Sequence, residues 1–154
     1  MIMTSHIASL GVFHKIPAAL TQGRLAIVEH TLPVGMLGAP VHRHSREDEL
    51  SIVVSGTLGA WLDGEEQTAE AGAYVWKPRG QWHTFWNAGS TPLRFIEVLM
   101  PGGFESYFQQ LSQLFQAGSC PTPAAMGAIA GEFGLDVDLD QTGQICEQFG
   151  VRLG

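Results

Sequence analysis

The chain is poor in three things, and each scarcity removes a class of protein. It carries two cysteines in 154 residues, Cys120 and Cys146, both toward the C-terminus and without Cys-x-x-Cys spacing. Neither a disulfide framework nor a zinc ribbon is expected, and two free thiols in a cytoplasmic protein is the simplest reading. It has eight lysines and arginines, set singly along the sequence, and a net charge of −7. Nucleic-acid binding needs clustered basic side chains to displace counterions, so no nucleic-acid partner is expected. No apolar run approaches the roughly 18 residues of a membrane span. Lys15 and Pro17 interrupt the N-terminal stretch that a secretory leader would need, so neither a membrane anchor nor export is expected.

Glycine, by contrast, is plentiful. Nineteen glycines, many beside Asp, Asn or Ser, suit a fold with many tight turns. An apolar fraction of 45% with 15% charged residues lies in the globular range. A chain of this length fits one domain, burying about 68–70% of its unfolded surface.

Short strand signals recur through the first two thirds. Leu25 to Leu32 alternates and stops at Pro33 and Gly35; Ala39 to His44 is a second strand. Glu49 to Ser55 puts Leu50, Ile52 and Val54 on one face and Glu49, Ser51 and Val53 on the other. Thr57 to Leu62 meets Asp63-Gly64, a strong hairpin signal, and a weak strand covers Gln67 to Glu70. Ala73 to Trp76 ends at Lys77-Pro78-Arg79-Gly80, where proline second and glycine fourth predict a type I turn. His83 to Asn87 and Leu93 to Met100 complete the series. This spacing predicts an all-β sandwich or barrel. The pattern then becomes helical: Phe104 to Phe115, then about Pro123 to Phe133 ending at Gly134, then Gln141 to Phe149 ending at Gly150. The expected division is a barrel with its lead-in over 1–103 and a helical tail over 104–154, packed on the barrel or on a partner subunit.

His42, His44, Glu49 and His83 are the chemistry-bearing residues. Histidines at i and i+2 of a strand share a face. Two imidazoles on one face, with a carboxylate and a third imidazole from other strands, can close one divalent metal site with coordination positions left open. Glu47 and Asp48 compete with Glu49 for the carboxylate role, but they fall in a polar turn and read as solvated charge. By parity His83, Phe85 and Asn87 point one way, making Phe85 a candidate pocket wall. Trp82 and Trp86 then point outward, toward a second sheet or a partner subunit. Asn87 suits the satisfaction of turn backbone groups. Arg79 reads as a surface side chain, or as a reader of an anionic substrate. Glu97 shares the apolar face of Leu93, Phe95 and Leu99, so it is either a rim residue or an acid–base group in the cavity.

The spacing His42-x-His44-x4-Glu49-x6-Gly56, followed by Gly72-x5-Pro78-x-Gly80-x2-His83-x3-Asn87, resembles the two motifs of the cupin superfamily. One position departs: the family usually has a glycine six before the first histidine, whereas here Gly35 is seven before and Gly38 four before. The Ser-Arg-Glu-Asp-Glu stretch, Pro101-Gly102-Gly103-Phe104-Glu105 and the tail further resemble single-domain cupins described as quercetin-dioxygenase-like.

The resemblance implies an antiparallel jelly-roll barrel and one divalent ion per chain on His42, His44, Glu49 and His83. Three imidazoles and a carboxylate suit iron, manganese, nickel, cobalt, copper or zinc alike. It also implies a homodimer, and oxygen-dependent cleavage of an enolic or phenolic small molecule with Glu49 as proton acceptor. A cupin isomerase or cyclase using the same metal without oxygen is the alternative enzyme. A non-catalytic binding or metal-storing module is the alternative outside catalysis.

Overall fold

A computed structural model describes residues 5–7, 11–116 and 122–153. Two unclosed β-sheets face one another in a jelly-roll arrangement, with three short helices laid against them. The strands are β1 (Ser5–Ile7), β2 (Val12–Ile16), β3 (Ala26–Leu32), β4 (Met36–Leu37), β5 (Val41–His44), β6 (Asp48–Ser55), β7 (Leu58–Leu62), β8 (Glu65–Ala69), β9 (Tyr74–Lys77), β10 (His83–Asn87), β11 (Leu93–Met100), β12 (Leu135–Asp138) and β13 (Arg152–Leu153). The helices are α1 (Glu105–Gln116), α2 (Pro123–Glu132) and α3 (Leu139–Phe149). Cys120, one of the two expected free thiols, lies outside the described residues; Cys146 is free.

One sheet runs β1-β2-β3-β11-β6-β9, and the other runs β12-β5-β10-β4-β13 with the β7–β8 hairpin attached through β10. Strict period-two alternation builds the first sheet. In β3, Ala26, Val28, His30 and Leu32 are buried and the residues between them are not. In β6 the buried set is Glu49, Ser51 and Val53, while Leu50, Ile52 and Val54 face outward. Apolar side chains of both sheets meet between them, with Val53, Leu58, Phe85, Leu93 and Phe95 at the centre.

Turn chemistry sets the connections. Asp63 (φ 47) and Gly64 (φ 96) both adopt positive φ, the requirement of a type I′ hairpin joining β7 and β8. The turn after β9 differs from expectation. Gln81 N–H donates to Pro78 O at 3.2 Å, so Pro78 is first and Gly80 third. Gly80 has φ +80, the left-handed conformation that a type II turn demands at its third residue, so glycine is used for backbone freedom rather than as the closing residue of a type I turn.

The tail is not only helical. Leu135–Asp138 forms β12 on the edge of β5, and Arg152–Leu153 forms β13, parallel to β4. The sequence reading also placed no strand before Leu25, where β2 pairs with β3. Helix α1 is tied down at its start, because the Glu105 carboxylate accepts from Ala18 N at 2.8 Å and Gly103 N at 2.7 Å. Helix α3 begins on Asp138, whose carboxylate accepts from Gln141 N, and ends on Gly150 in the left-handed conformation.

This tail corrects one expectation. Trp86 does point away from the intersheet core, but it is 4% exposed because Phe149 of α3 stacks on it at 4.2 Å between ring centroids. Trp82 lies against the same cluster and carries the Arg43 guanidinium at 4.6 Å. Trp86 of β10 is thus covered by the chain's own tail, and Trp82, just before the strand, is partly buried beside it.

Candidate metal centre

Strands β5 and β10 are antiparallel, with His83 directly opposite His42. His44 leaves β5 on the same side as His42. Glu49 arrives from β6 of the facing sheet, so the four residues converge across the gap between the sheets. All four are buried, and each offers one ligand atom within 4.8 Å of the others.

Hydrogen bonding orients the imidazoles. His42 Nδ1 is 2.7 Å from Pro40 O, His83 Nδ1 is 2.9 Å from Gln81 O, and His44 Nδ1 is 3.3 Å from Glu47 Oε2. Carbonyl oxygens only accept, so Nδ1 of His42 and His83 carries the hydrogen and the Nε2 lone pairs face the centre. His44 Nε2 is buried without a hydrogen-bond partner, although Glu49 Oε1 is 3.0 Å away. His83 Nε2 is 3.2 Å from Glu49 Oε2. Lone pairs set this close to a carboxylate are satisfied by a proton or a cation between them. The donor set therefore fits a divalent ion.

The charges agree. Burial, then the neighbouring His83 and His44, hold His42 well below the usual imidazole range, and burial also lowers His83. Burial opposes a charge on His44, but the Glu49 carboxylate and the contacts with Glu47 and Glu49 outweigh it and raise His44 to about 9. Glu49 would be raised by burial, yet Lys77 and His44 pull it well below the usual carboxylate range. Glu47 is thus not the solvated charge expected from its polar turn. It is 6% exposed and sits beneath His44, on the side away from the centre. Asp48 does stay near the surface, where it binds Arg79 through both carboxylate oxygens, so Arg79 is committed to that pair.

Glu97 and Phe85 line the cavity that opens above the centre. Glu97 is 2% exposed, within the wall rather than at the rim. Its carboxylate takes a short bond from Lys77 and one from Ser51 Oγ at 3.1 Å. Burial and the Glu49 charge raise it to about 7 against the pull of Lys77. Phe85 meets Phe95 edge-on at 5.1 Å, and Gly38 leaves it room, since a Cβ there would fall 2.0 Å from the Phe85 ring. Asn87 bonds backbone groups as its position suggested: its amide donates to Leu32 O and Thr91 O, and its oxygen accepts from Gly89 N.

Three further residues escaped the sequence reading. Lys77, which reads as part of a turn in the sequence, is 2% exposed and bonds both Glu49 (2.9 Å) and Glu97. His30 and His14 are buried with Nε2 unpartnered. All three share parity with buried apolar neighbours, which was the available signal.

The fold is of cupin type, and the buried His–Glu cluster forms a site that could bind a metal. The family model of the Cupin domain matches residues 28–99, just under half of the chain. Solved structures with the same fold include KdgF from Halomonas sp., at 22% identity and TM-score 0.55, covering 68% of this chain and 90% of that one. A predicted oxalate decarboxylase from Thermotoga maritima is 21% identical with TM-score 0.57, covering 65% and 93%. A cupin-superfamily sugar phosphate isomerase from Silicibacter pomeroyi is 20% identical with TM-score 0.51, covering 64% and 69%. At these identities the likeness is one of fold. The segment matched by the family model contains all four residues of the candidate metal centre. No curated protein matches it.

Proposed function

We propose that the protein is a metal-dependent cupin enzyme, an oxidoreductase of the quercetin-dioxygenase-like kind acting on an enolic or phenolic small molecule. One divalent ion per chain would be held by His42, His44, Glu49 and His83. The observation that carries this reading is the convergence of three imidazoles and one carboxylate, Glu49, which also lines an apolar cavity. When bound, the ion would supply Lewis acidity that lowers the pKa of an enol or phenol.

The chain's own residues handle the proton and the water. Glu49 is the proposed proton acceptor, with its Oε2 oriented by Lys77 and its Oε1 beside His44. Lys77 joins Glu49 to Glu97, whose higher proton affinity makes it the natural next holder. Phe85 and the facing helices α1 and α2 keep the cavity dry.

A second reading, an isomerase or cyclase that needs no oxygen, rests on Glu97 itself. A carboxyl with a pKa of about 7 in a cavity wall can move a proton between carbons without an oxidant. A sugar phosphate, the substrate named for the Silicibacter pomeroyi protein, fits this cavity less well. Among the described residues Lys77 is the only buried lysine or arginine, and both its partners are carboxylates of the site.

The test is element-resolved metal analysis of purified protein, then dioxygen uptake against flavonols and catechols after separate reconstitution with iron, manganese, nickel and copper. Uptake with at least one pair is expected. No uptake but isomerisation of a carbonyl substrate transfers the assignment to the second reading. Tight binding without turnover would instead leave a non-catalytic binding module.

A further inference from the structure

The cavity above the candidate metal centre has a volume of about 390 Å³, within the range of sites that enclose small organic ligands. Its floor is the inner face of the first sheet and its roof is α1 and α2. Tyr107, Phe108 and Leu111 of α1 and Met126 of α2 line it, each half-buried.

Apart from the Tyr107 phenol of α1, the ionisable lining is His30, Glu49 and Glu97, all on the first sheet. Besides Glu49 and Glu97, whose carboxylates already take Lys77, the floor presents His30. His30 stacks on Phe95 at 4.7 Å and meets Phe85 and Phe108 edge-on at 5.7 and 5.5 Å. Its Nε2 is buried and has no hydrogen-bond partner; Glu97 Oε2 lies 3.5 Å away without hydrogen-bond geometry. An unpaired buried polar atom costs about 1–3 kcal/mol, and a ligand atom that pairs with it recovers that cost. Neutral imidazole Nε2 either donates or accepts, according to tautomer, and a hydroxyl can answer both.

We propose that the cavity takes an uncharged molecule with an apolar body and a single hydroxyl presented to His30, and that His30 is the residue selecting that hydroxyl. The apolar body lies against Phe108, Leu111 and Met126. No lysine or arginine among the described residues lines the cavity, so away from the metal centre a phosphate or a second carboxylate finds no counter-charge. A polyhydroxylated sugar would bury more hydroxyls than this wall can pair. The inference rests on the proposed function for placing substrate in this cavity, but it is read by binding alone.

The experiment uses the full chain loaded with zinc, which undergoes no redox chemistry, and follows fluorescence titrations with 2-naphthol and with 2-methylnaphthalene, which has no hydroxyl. The wild-type protein is expected to prefer 2-naphthol. His30→Phe should weaken 2-naphthol about 3- to 10-fold, the size of one hydrogen bond, and leave 2-methylnaphthalene unchanged. His30→Gln, which keeps a polar terminus, should retain part of the preference and serves if the phenylalanine variant does not fold. An equal loss for both ligands would make His30 merely structural and overturn the proposal, as would displacement of 2-naphthol by fructose 6-phosphate. Selective binding without oxygen uptake by any metal form would sink the oxygenase reading and leave this one standing. Uptake of oxygen with a ligand indifferent to His30 would do the reverse.

Discussion

Lys77 Nζ lies 2.9 Å from Glu49 Oε2 and also bonds Glu97, so one buried ammonium separates the carboxylate of the candidate metal centre from the carboxylate of the cavity wall. Strand register creates the arrangement. Glu49 of β6 pairs with Lys77 of β9 on one side and with Leu99 of β11 on the other, two residues from Glu97. Burial alone would lower the lysine pKa, but the two carboxylates outweigh it and raise it. The centre therefore carries a fixed positive charge beside the place a divalent ion would occupy.

Removing that ammonium leaves two carboxylates buried side by side. Lys77→Met should destabilise the metal-free protein by about 3–5 kcal/mol, the usual cost of breaking a buried ion pair from one side. In zinc-loaded protein the loss should be smaller, because the ion takes over the neutralisation of Glu49. Urea unfolding with and without zinc measures both. Equal losses in the two forms would mean that the ion and Lys77 do not share Glu49.

His42→Ala and His83→Ala should each abolish stoichiometric metal binding and leave a folded domain. The imidazoles line a gap between sheets whose packing is carried by Leu58, Leu93, Phe95 and their neighbours. A structural zinc domain behaves otherwise, unfolding when its metal is lost. Metal content and circular dichroism on the same samples decide it; global unfolding of both variants would show that the site holds the fold together.

The fold class and the four clustered residues were legible because both depend on local rules: alternation, turn residues and the spacing of His42, His44, Glu49 and His83. What escaped depends on neighbours distant in sequence. Lys77 stands before a proline at a strand end and reads as a turn residue; its parity with Val75 is the only local sign of burial, and its carboxylate partner Glu49 comes from the pairing of β9 with β6. Glu47 lies in a run of charges, and it is buried because the turn after β5 folds it under His44. β12 is Leu-Asp-Val-Asp, an alternation only four residues long and half aspartate, a poor strand former, and it exists because the edge of β5 offers backbone partners. The outward parity of Trp86 was readable, but its cover was not, since nothing local says that α3 returns across β10.

Trp86→Ala is therefore expected to act within one chain. It removes the ring beneath Phe149 and opens the cluster of Leu37, Val41, Ile145 and Val151, at a cost of about 3–5 kcal/mol. The loss should not depend on protein concentration. Denaturation midpoints at low and high micromolar concentration test this, and a concentration-dependent loss would place Trp86 in a subunit contact.

We place the expected homodimer on a different surface. Tyr74 and Trp76 of β9 are 68% and 51% exposed, and Val54 of β6 is 38% exposed, on the outer face of the first sheet at its edge. Exposed apolar side chains on one sheet face are the surface on which we expect a second copy to pack. Wild-type protein should sediment as a dimer at micromolar concentration, and Trp76→Glu should shift it to monomer with its fold intact. A monomeric wild type would remove the dimer altogether.

His30 should give the protein a steep acid limit. Burial first, and then the Lys77 charge, hold His30 at about 3 in the folded state, against an ordinary value of 6.5. Between these values the unfolded chain binds a proton that the folded chain refuses, so stability falls as pH falls through the window. Glu97 has the opposite sign. Its folded pKa of about 7 lies above its ordinary 4.5, so its contribution is present at low pH and lost as pH rises through 7. From about pH 6.5 down to 4.5 the two oppose one another and the profile should be shallow. Below pH 4.5 Glu97 is protonated in both states and adds no further slope, while the His30 penalty still grows. His30→Phe, which keeps an aromatic ring on Phe95 and removes the titrating nitrogen, should move the acid unfolding midpoint to lower pH and leave neutral-pH stability little changed. Equilibrium unfolding from pH 3 to 8 for both proteins gives the comparison, and an unshifted acid limit in the variant would assign the loss to the carboxylates alone.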